Sequence, residues 1–202
     1  MTSPQVVLAT HNQHKLAELR RILAGVADPE QIISAGSAGA SEVPETGVTF
    51  GENALLKARA VCAHSASIAI ADDSGLAVDV LGGAPGIFSA RWAGHHGDDA
   101  ANLRLLLDQL SDIAPQHRRA RFVCAAALVA PDGTEVIEYG NLTGSLLYEP
   151  RGEGGFGYDP ILQPDGQERS VAELTPEEKN AISHRGEAFR ALAAHLAPLL
   201  QA

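Results

Sequence analysis

An α/β fold with a mixed, strongly bent sheet is what the sequence predicts. Short apolar runs alternate with segments whose apolar residues recur at helical spacing, the pattern of a sheet covered by helices. One pair of apolar runs is instead separated only by the turn Pro131-Asp132-Gly133, which predicts a long antiparallel hairpin.

Val6-Val7-Leu8-Ala9 is bounded by polar residues, and Leu16, Leu19 and Leu23 follow at helical spacing, so a strand feeds directly into a helix. An Ala/Gly/Ser-rich loop from Ala35 to Ser41 precedes a second helix marked by Ala54, Leu55, Ala58, Val61 and Cys62. Ser67 to Ala71 reads as a buried strand that Asp72-Asp73 closes. Gly82-Gly83-Ala84-Pro85-Gly86 is a loop, and Asn102 to Leu110 carries helical leucines. Ala120 to Ala130 and Glu135 to Tyr139 are the hairpin strands. Gly152 to Gly157 is a loop. Thr175-Pro176-Glu177-Glu178 starts the last helix, with a capping Thr, Pro in the first turn and Glu three residues on. Phe189, Leu192, Leu196 and Leu199 extend its apolar stripe to the C-terminus.

With 202 residues the chain can bury a substantial core, and neither an internal repeat nor a linker divides it, so residues 1–202 are expected to form one domain. Hydrophobic residues at 45% and charged residues at 20% are close to the averages for globular proteins, so neither the disordered nor the membrane class is indicated. Met1-Thr2-Ser3-Pro4 lacks the basic start and apolar run of a signal peptide, and no stretch approaches the ~20 apolar residues of a spanning helix, so a cytoplasmic protein is expected. Cys62 and Cys124 have no further Cys or His at metal-ligand spacing and read as buried free thiols. A net charge of −10 repels polyanions, which argues against nucleic-acid and membrane partners but leaves room for a small anion in a local basic pocket. Arg118-Arg119-Ala120-Arg121 is the one basic run and reads as the solvated start of a strand.

Three constellations can carry chemistry. Thr10-His11-Asn12-Gln13-His14-Lys15 lies where the first strand gives way to a helix; backbone N–H groups there face outward at the positive end of the helix dipole, and Thr, Asn and Lys add donors for a phosphate. Helix capping by Thr10 or Asn12 would use the same residues. The second is acidic: Glu45 in a loop, Glu52 in a first helical turn, and Asp72-Asp73 before Ser74-Gly75. Adjacent carboxylates at the end of a buried strand are costly unless a cation or hydrogen bonds hold them. An oxygen-only set suits Mg2+, which shares its coordination with substrate phosphates; a capped turn formed by Asp72 and Ser74 is the structural alternative. The third is Lys179-Asn180-Ala181-Ile182-Ser183-His184-Arg185-Gly186; the heads of Lys179, Ser183 and Arg185 cannot share one stripe of a straight helix, so a bend near Ser183 and Gly186 that gathers them on one side is expected.

Two motif matches mislead. Asp73-Ser74-Gly75 copies the aspartic protease signature, but that chemistry needs two such carboxylates and the chain has one copy. Gly152-Glu153-Gly154-Gly155-Phe156-Gly157 fits dinucleotide spacing, yet it leads into Tyr158-Asp159-Pro160 rather than a helix and lies far from the N-terminal strand. Its functional reading is a loop that lets backbone approach a ligand, with Phe156 as a stacking platform.

Together these segments resemble the inosine/xanthosine triphosphate pyrophosphatase family, hydrolases of non-canonical purine nucleotides, over nearly the whole chain. The resemblance is carried by Val7-Leu8-Ala9-Thr10-His11-Asn12 with Lys15, by Glu45-Thr46-Gly47, Phe50-Gly51-Glu52-Asn53-Ala54 and Lys57-Ala58, and by Ala71-Asp72-Asp73-Ser74-Gly75-Leu76. Gly82-Gly83-Ala84-Pro85-Gly86, Gly155-Phe156-Gly157-Tyr158-Asp159-Pro160 and Lys179-Asn180-Ala181-Ile182-Ser183-His184-Arg185 complete it. The resemblance implies two lobes around an elongated bent mixed sheet flanked by helices, a substrate cleft between them, and a homodimer. It implies that Thr10, Asn12, Lys15 and Lys57 hold the triphosphate, with His11, Gln13 and His14 in the same segment, that Glu45 and Asp73 bind magnesium, and that Ser74 touches substrate. Asp73 is also assigned as general base. Phe156 would stack on the purine beside Gly157 and Tyr158, with Asp159, Lys179, His184 and Arg185 reading its edge. Many relatives have Gly where His11 stands. A Maf-like pyrophosphatase, a noncatalytic nucleotide sensor and an NAD-dependent oxidoreductase are the rival readings. The sensor fits poorly, because simple binding of an anion does not call for Glu45 and Asp73 beside it.

Overall fold

The computed structural model describes residues 5–10 and 13–201, with the side chains of Gln13 and His14 outside that description. Among these residues the order is β1 (Val6–Leu8), α1 (Gln13–Leu23), β2 (Ile32–Ser34), α2 (Phe50–Ser65), β3 (Ile68–Val78), α3 (Asp99–Gln109), β4 (Arg119–Val129), β5 (Glu135–Leu146), β6 (Leu162–Pro164), α4 (Pro176–Ile182) and α5 (His184–Leu199). The strands form a sheet in the order β2-β1-β3-β4-β5-β6. Val6 of β1 lies opposite Ile32 of β2 and Ile68 of β3 in parallel pairs, whereas β6 is antiparallel to β5 with Leu146 opposite Leu162. The sheet is therefore mixed, and the α/β class expected from the sequence is the one observed.

Local chemistry sets the helix ends. Thr49 accepts from the Glu52 amide while the Glu52 carboxylate accepts from the Thr49 amide, a capping box that starts α2, and Thr175 with Glu178 does the same for α4. The acidic residue of the second constellation nearest a helix start, Glu52, is thus a cap.

The chain divides into two compact units: residues 1–73, 124–140 and 185–202 form the first, and residues 74–123 and 141–184 the second. In the first unit the two faces of the strands are covered differently. Val6, Leu8, Ile68, Ile70, Cys124, Ala126 and Leu128 pack with Leu16, Leu19 and Leu23 of α1 and Phe189, Leu192 and Leu196 of α5. The alternate residues Val7, Ala69, Ala71, Ala125, Ala127 and Val129 pack with Ala54, Ala58, Val61 and Cys62 of α2. Period-two side-chain alternation turns one run of small and branched apolar residues into two buried faces. The second unit has its own core of Leu76, Val78, Leu106, Leu110, Ala120, Phe122, Leu142, Leu146 and Ile161. Cys62 and Cys124 are buried free thiols, as expected.

Three expectations are corrected and two strands were missed. Asp72-Asp73 does not close β3; the strand continues through both aspartates to Val78, because Leu76 and Val78 resume the buried pattern beyond them. β5 runs on to Leu146, past the expected end at Tyr139. β2 and β6 escaped prediction, since three residues each are too short to show a period. Arg118 is no solvated strand start. It is 1% exposed and donates to the carbonyls of Leu110, Leu146 and Leu147 while lying 4.2 Å over the Tyr148 ring. Its neighbours Arg119 and Arg121 do pair with Asp165 and Asp79 at the surface. Among the described residues no helix is long and apolar enough to cross a membrane.

Candidate functional site

The same alternation that builds two faces in the first unit separates the adjacent aspartates of β3. Asp72 continues the register of Ile68 and Ile70 and meets α1 and α5; Asp73 continues that of Ala69 and Ala71 and meets α2. Two neighbouring carboxylates thereby acquire different partners and different chemistry.

On the α2 side, Asn53 Nδ2 donates to Asp73 Oδ2 at 3.1 Å. Lys57 Nζ donates to Glu45 Oε1 at 2.7 Å and lies 3.5 Å from Asp73 Oδ1. Asn53 and Lys57 are four residues apart on α2, which puts both heads on one helical face. Burial pushes the Asp73 carboxyl above its usual range; Lys57 and Asn53 pull it back, and Glu45 and Asp72 push it further up. Burial alone would lower the Lys57 ammonium, but Asp73, Asp72 and Glu45 outweigh it and leave it above its usual value. One lysine thus holds together two acids that repel each other.

On the opposite side, Asp72 is buried beside Lys15 Nζ, 3.4 Å from each of its carboxylate oxygens, and Arg185 Nε, 3.5 Å from Oδ2. Arg185 Nη1 also donates to Glu18 Oε2 at 3.0 Å. Burial opposes the guanidinium charge, yet Asp72 and Glu18 more than compensate and keep Arg185 firmly protonated. The residue expected to read a base edge is held here by two carboxylates of its own unit.

A cavity of about 260 Å³ opens in the first unit where β1 ends, lined by Ala9, Thr10, Lys15, Ser41, Glu42, Glu45, Lys57 and Asp72 among others. Two lysines against three carboxylates leave this lining at a formal charge of −1. A polyanion entering it gains from Lys15 and Lys57 only if a further cation offsets the acids. Among the described residues no group of three or more His, Cys, Asp and Glu could hold a metal ion by itself. Glu45 and Asp73 nevertheless present the hard oxygen donors that Mg2+ takes, and that ion completes its shell with water and phosphate oxygens rather than with a full protein cage.

The second unit gathers the other expected residues. Phe156 is 59% exposed on a backbone that is tightly held. Its amide donates to Asp159 Oδ2 at 2.8 Å, the same oxygen accepts from Lys179 Nζ at 2.6 Å, and Lys179 lies 4.9 Å over the Phe156 ring. A Cβ at Gly155, where φ is +75°, would collide with the Asp159 carboxylate, so that glycine is required. Gly157 donates its amide to Asp99 at 2.9 Å, and the Tyr158 hydroxyl donates to the Ser89 carbonyl at 3.0 Å. The loop leads into a 3-10 turn and then β6, which leaves no helix to receive a dinucleotide pyrophosphate. His184 is stacked on Phe122 with ring centroids 5.1 Å apart. A bend occurs at Ser183, whose extended backbone (φ −67°, ψ 144°) separates α4 from α5, but it does not gather the heads as expected: Lys179 pairs with Asp159, and Arg185 with Glu18 and Asp72.

The structure thus brings Glu45, Lys57 and Asp73 together on one side of β3 and Lys15, Asp72 and Arg185 on the other, with Thr10, Lys15, Glu45, Lys57 and Asp72 lining one cavity. In the second unit it gathers Phe156, Gly157, Tyr158, Asp159 and Lys179. Ser74 opens the second unit's share of β3. His11 and Asn12 lie outside the described residues, as do the side chains of Gln13 and His14. Sequence reasoning missed Asn53, Glu18 and Asp99. Asn53 was legible as a polar residue four positions before Lys57 on an otherwise apolar helical face; Glu18 and Asp99 meet their partners across 167 and 58 residues and gave no local signal.

A family model described as the Ham1 family matches residues 6–195. A dITP/XTP pyrophosphatase of Streptomyces coelicolor is 62% identical over 189 residues, which cover 93% of this chain and 94% of that protein. A nucleoside-triphosphatase / dITP/XTP pyrophosphatase from Mycobacterium abscessus has a crystal structure that superposes with a TM-score of 0.78 at 53% identity, covering 95% of this chain and 98% of that one. A HAM1 protein from Coxiella burnetii matches with a TM-score of 0.88 at 40% identity, over 96% and 99% of the two chains.

Proposed function

The chain belongs to the Ham1 family, and we propose that it hydrolyses the non-canonical purine nucleoside triphosphates ITP, dITP, XTP and dXTP to the monophosphate and pyrophosphate. Such a reaction clears deaminated purines from the nucleotide pool. The observation that carries the reading is the charge arrangement of the cavity in the first unit, where two lysines and three acids line a space suited to a phosphate chain accompanied by a cation. Mg2+ held by Glu45 and Asp73 would supply charge neutralisation and polarisation of the phosphoryl oxygens.

In this reading Thr10, Lys15 and Lys57 bind the triphosphate, and Asn12 belongs to the same loop. Lys57 turns from Glu45 and Asp73 toward phosphate as the substrate enters. Asp73, oriented through Asn53, positions the attacking water and accepts its proton as the new bond forms at the α-phosphorus; the bridging α–β oxygen leaves with pyrophosphate. Ser74 contacts substrate. Phe156 stacks on the purine, Lys179 and His184 address its edge together with Arg185, and Asp159 fixes Phe156 and Lys179 in place. A cytoplasmic homodimer is part of the same proposal.

Product analysis after incubation with ITP and Mg2+ tests the reading. IMP with pyrophosphate is expected, and IDP with orthophosphate would move the attack to another phosphorus. The phosphate pocket makes a separate prediction. Lys15→Ala and Lys57→Ala should each weaken ITP binding roughly 10- to 100-fold, as loss of a charge-assisted hydrogen bond does, with little change in IMP affinity. Calorimetric titration with both nucleotides checks it, and equal weakening of the two would put these lysines elsewhere than on the phosphate tail.

A further inference from the structure

Asp99 begins α3, where an acidic residue ordinarily serves the helix dipole, and the neighbouring Asp98 already caps that helix by accepting from the Ala101 amide at 3.0 Å. Asp99 makes a different contact. Its Oδ2 accepts from the Gly157 amide at 2.9 Å, across 58 residues of sequence. The amide one residue earlier, that of Phe156, goes to Asp159, and that of Gly154 goes to the Ala172 carbonyl at 3.1 Å. Three anchors, one local at Asp159 and two from the distant Ala172 and Asp99, therefore fix a glycine-rich loop whose one aromatic side chain, Phe156, is exposed. A loop with several glycines loses much conformational freedom on ordering, so each anchor contributes to the position of the ring.

We infer that Asp99 is a positioning residue for purine binding: by holding the Gly157 amide it fixes the Phe156 ring at the height and tilt that accept a planar base. The inference rests on the proposed purine-nucleotide activity. Preorganisation of this kind acts on binding of the base and leaves the phosphate chemistry alone, so it is read in KM rather than in kcat.

The test compares Asp99→Ala, Asp99→Asn and the control Asp98→Ala in the full chain. Asparagine keeps an oxygen acceptor for Gly157 but carries no charge, so it separates the hydrogen bond from the helix-dipole effect. Asp98→Ala weakens the start of α3 and leaves the Gly157 contact in place. For Asp99→Ala we expect faster amide hydrogen exchange in the peptide spanning residues 152–159, and a KM for ITP raised roughly 3- to 10-fold, the worth of one hydrogen bond, at a kcat within about twofold of wild type. Asp99→Asn should restore most of both, and in a Phe156→Ala background Asp99→Ala should add nothing further. Unchanged exchange in the loop overturns the inference. So does a KM shift that Asp98→Ala reproduces, or one that persists in full without Phe156. Failure of the wild-type chain to hydrolyse ITP overturns the activity on which the inference rests, and loop exchange, measured without substrate, still decides whether Asp99 holds the loop.

Discussion

Replacing Asp73 with asparagine is expected to lower kcat for ITP by roughly two to four decades while leaving the fold intact. The change keeps the size of the side chain and its hydrogen-bonding length, so the packing between β3 and α2 has no reason to move. It removes the negative charge that orients water, accepts a proton and faces the cation. The surroundings of Asp73 make that charge hard to replace. Burial and the neighbouring acids Glu45 and Asp72 oppose ionisation, and Lys57 and Asn53 offset that only in part. An asparagine in this position leaves Lys57 paired with Glu45 alone at 2.7 Å, a tighter commitment that also withdraws the lysine from the phosphate. Steady-state rates at saturating Mg2+, with circular dichroism to confirm the fold, decide the point. Near-normal turnover would move the base role elsewhere, with Asp72 the next residue to test.

How much of this was legible in the sequence depends on the range of the interactions. The α/β class, the first strand and helix, and the Thr175 capping box follow from periods and patterns within a few residues, and these were readable, whereas Glu52 was legible as a first-turn acid but not in its pairing with Thr49. The break at Ser183 was readable too, but its effect was not: the sequence predicts that it gathers the polar heads, and Lys179 and Arg185 instead meet different carboxylates. The strand that carries the aspartates was read too short. A pair of carboxylates looks like an end when only local polarity is considered. In the folded chain the buried run simply resumes at Leu76, because lysine, arginine and asparagine from three helices satisfy the two acids without breaking the ladder. Those partners come from 16 to 113 residues away, and nothing at Asp72 or Asp73 announces which helix will face which residue. The register of a strand decides it, and register is a tertiary property.

Arg185→Ala is expected to destabilise the protein by about 3–5 kcal/mol, the usual cost of removing one partner from a buried ion pair. The Asp72 side chain is 3% exposed, and with the guanidinium gone it loses one of its two cationic neighbours and keeps Lys15 at 3.4 Å, while Glu18 loses the Arg185 donor. Denaturant unfolding measures the loss, and a change below about 1 kcal/mol would mean that the network contributes little. The same position carries the expectation, drawn from the family resemblance, that Arg185 reads the C6 oxygen of hypoxanthine and xanthine, so that its removal narrows the preference for ITP over ATP. The two roles can be separated because they have different partners. Adding Asp72→Asn to Arg185→Ala removes the buried charge whose compensation has been reduced and should recover much of the lost stability, since the penalty arises from burying that carboxylate without the guanidinium. It supplies no donor for a base. If the double variant regains stability yet still fails to discriminate ITP from ATP, Arg185 reads the base in addition to holding Asp72. If discrimination returns with stability, Arg185 acts on the substrate only through the aspartate it holds.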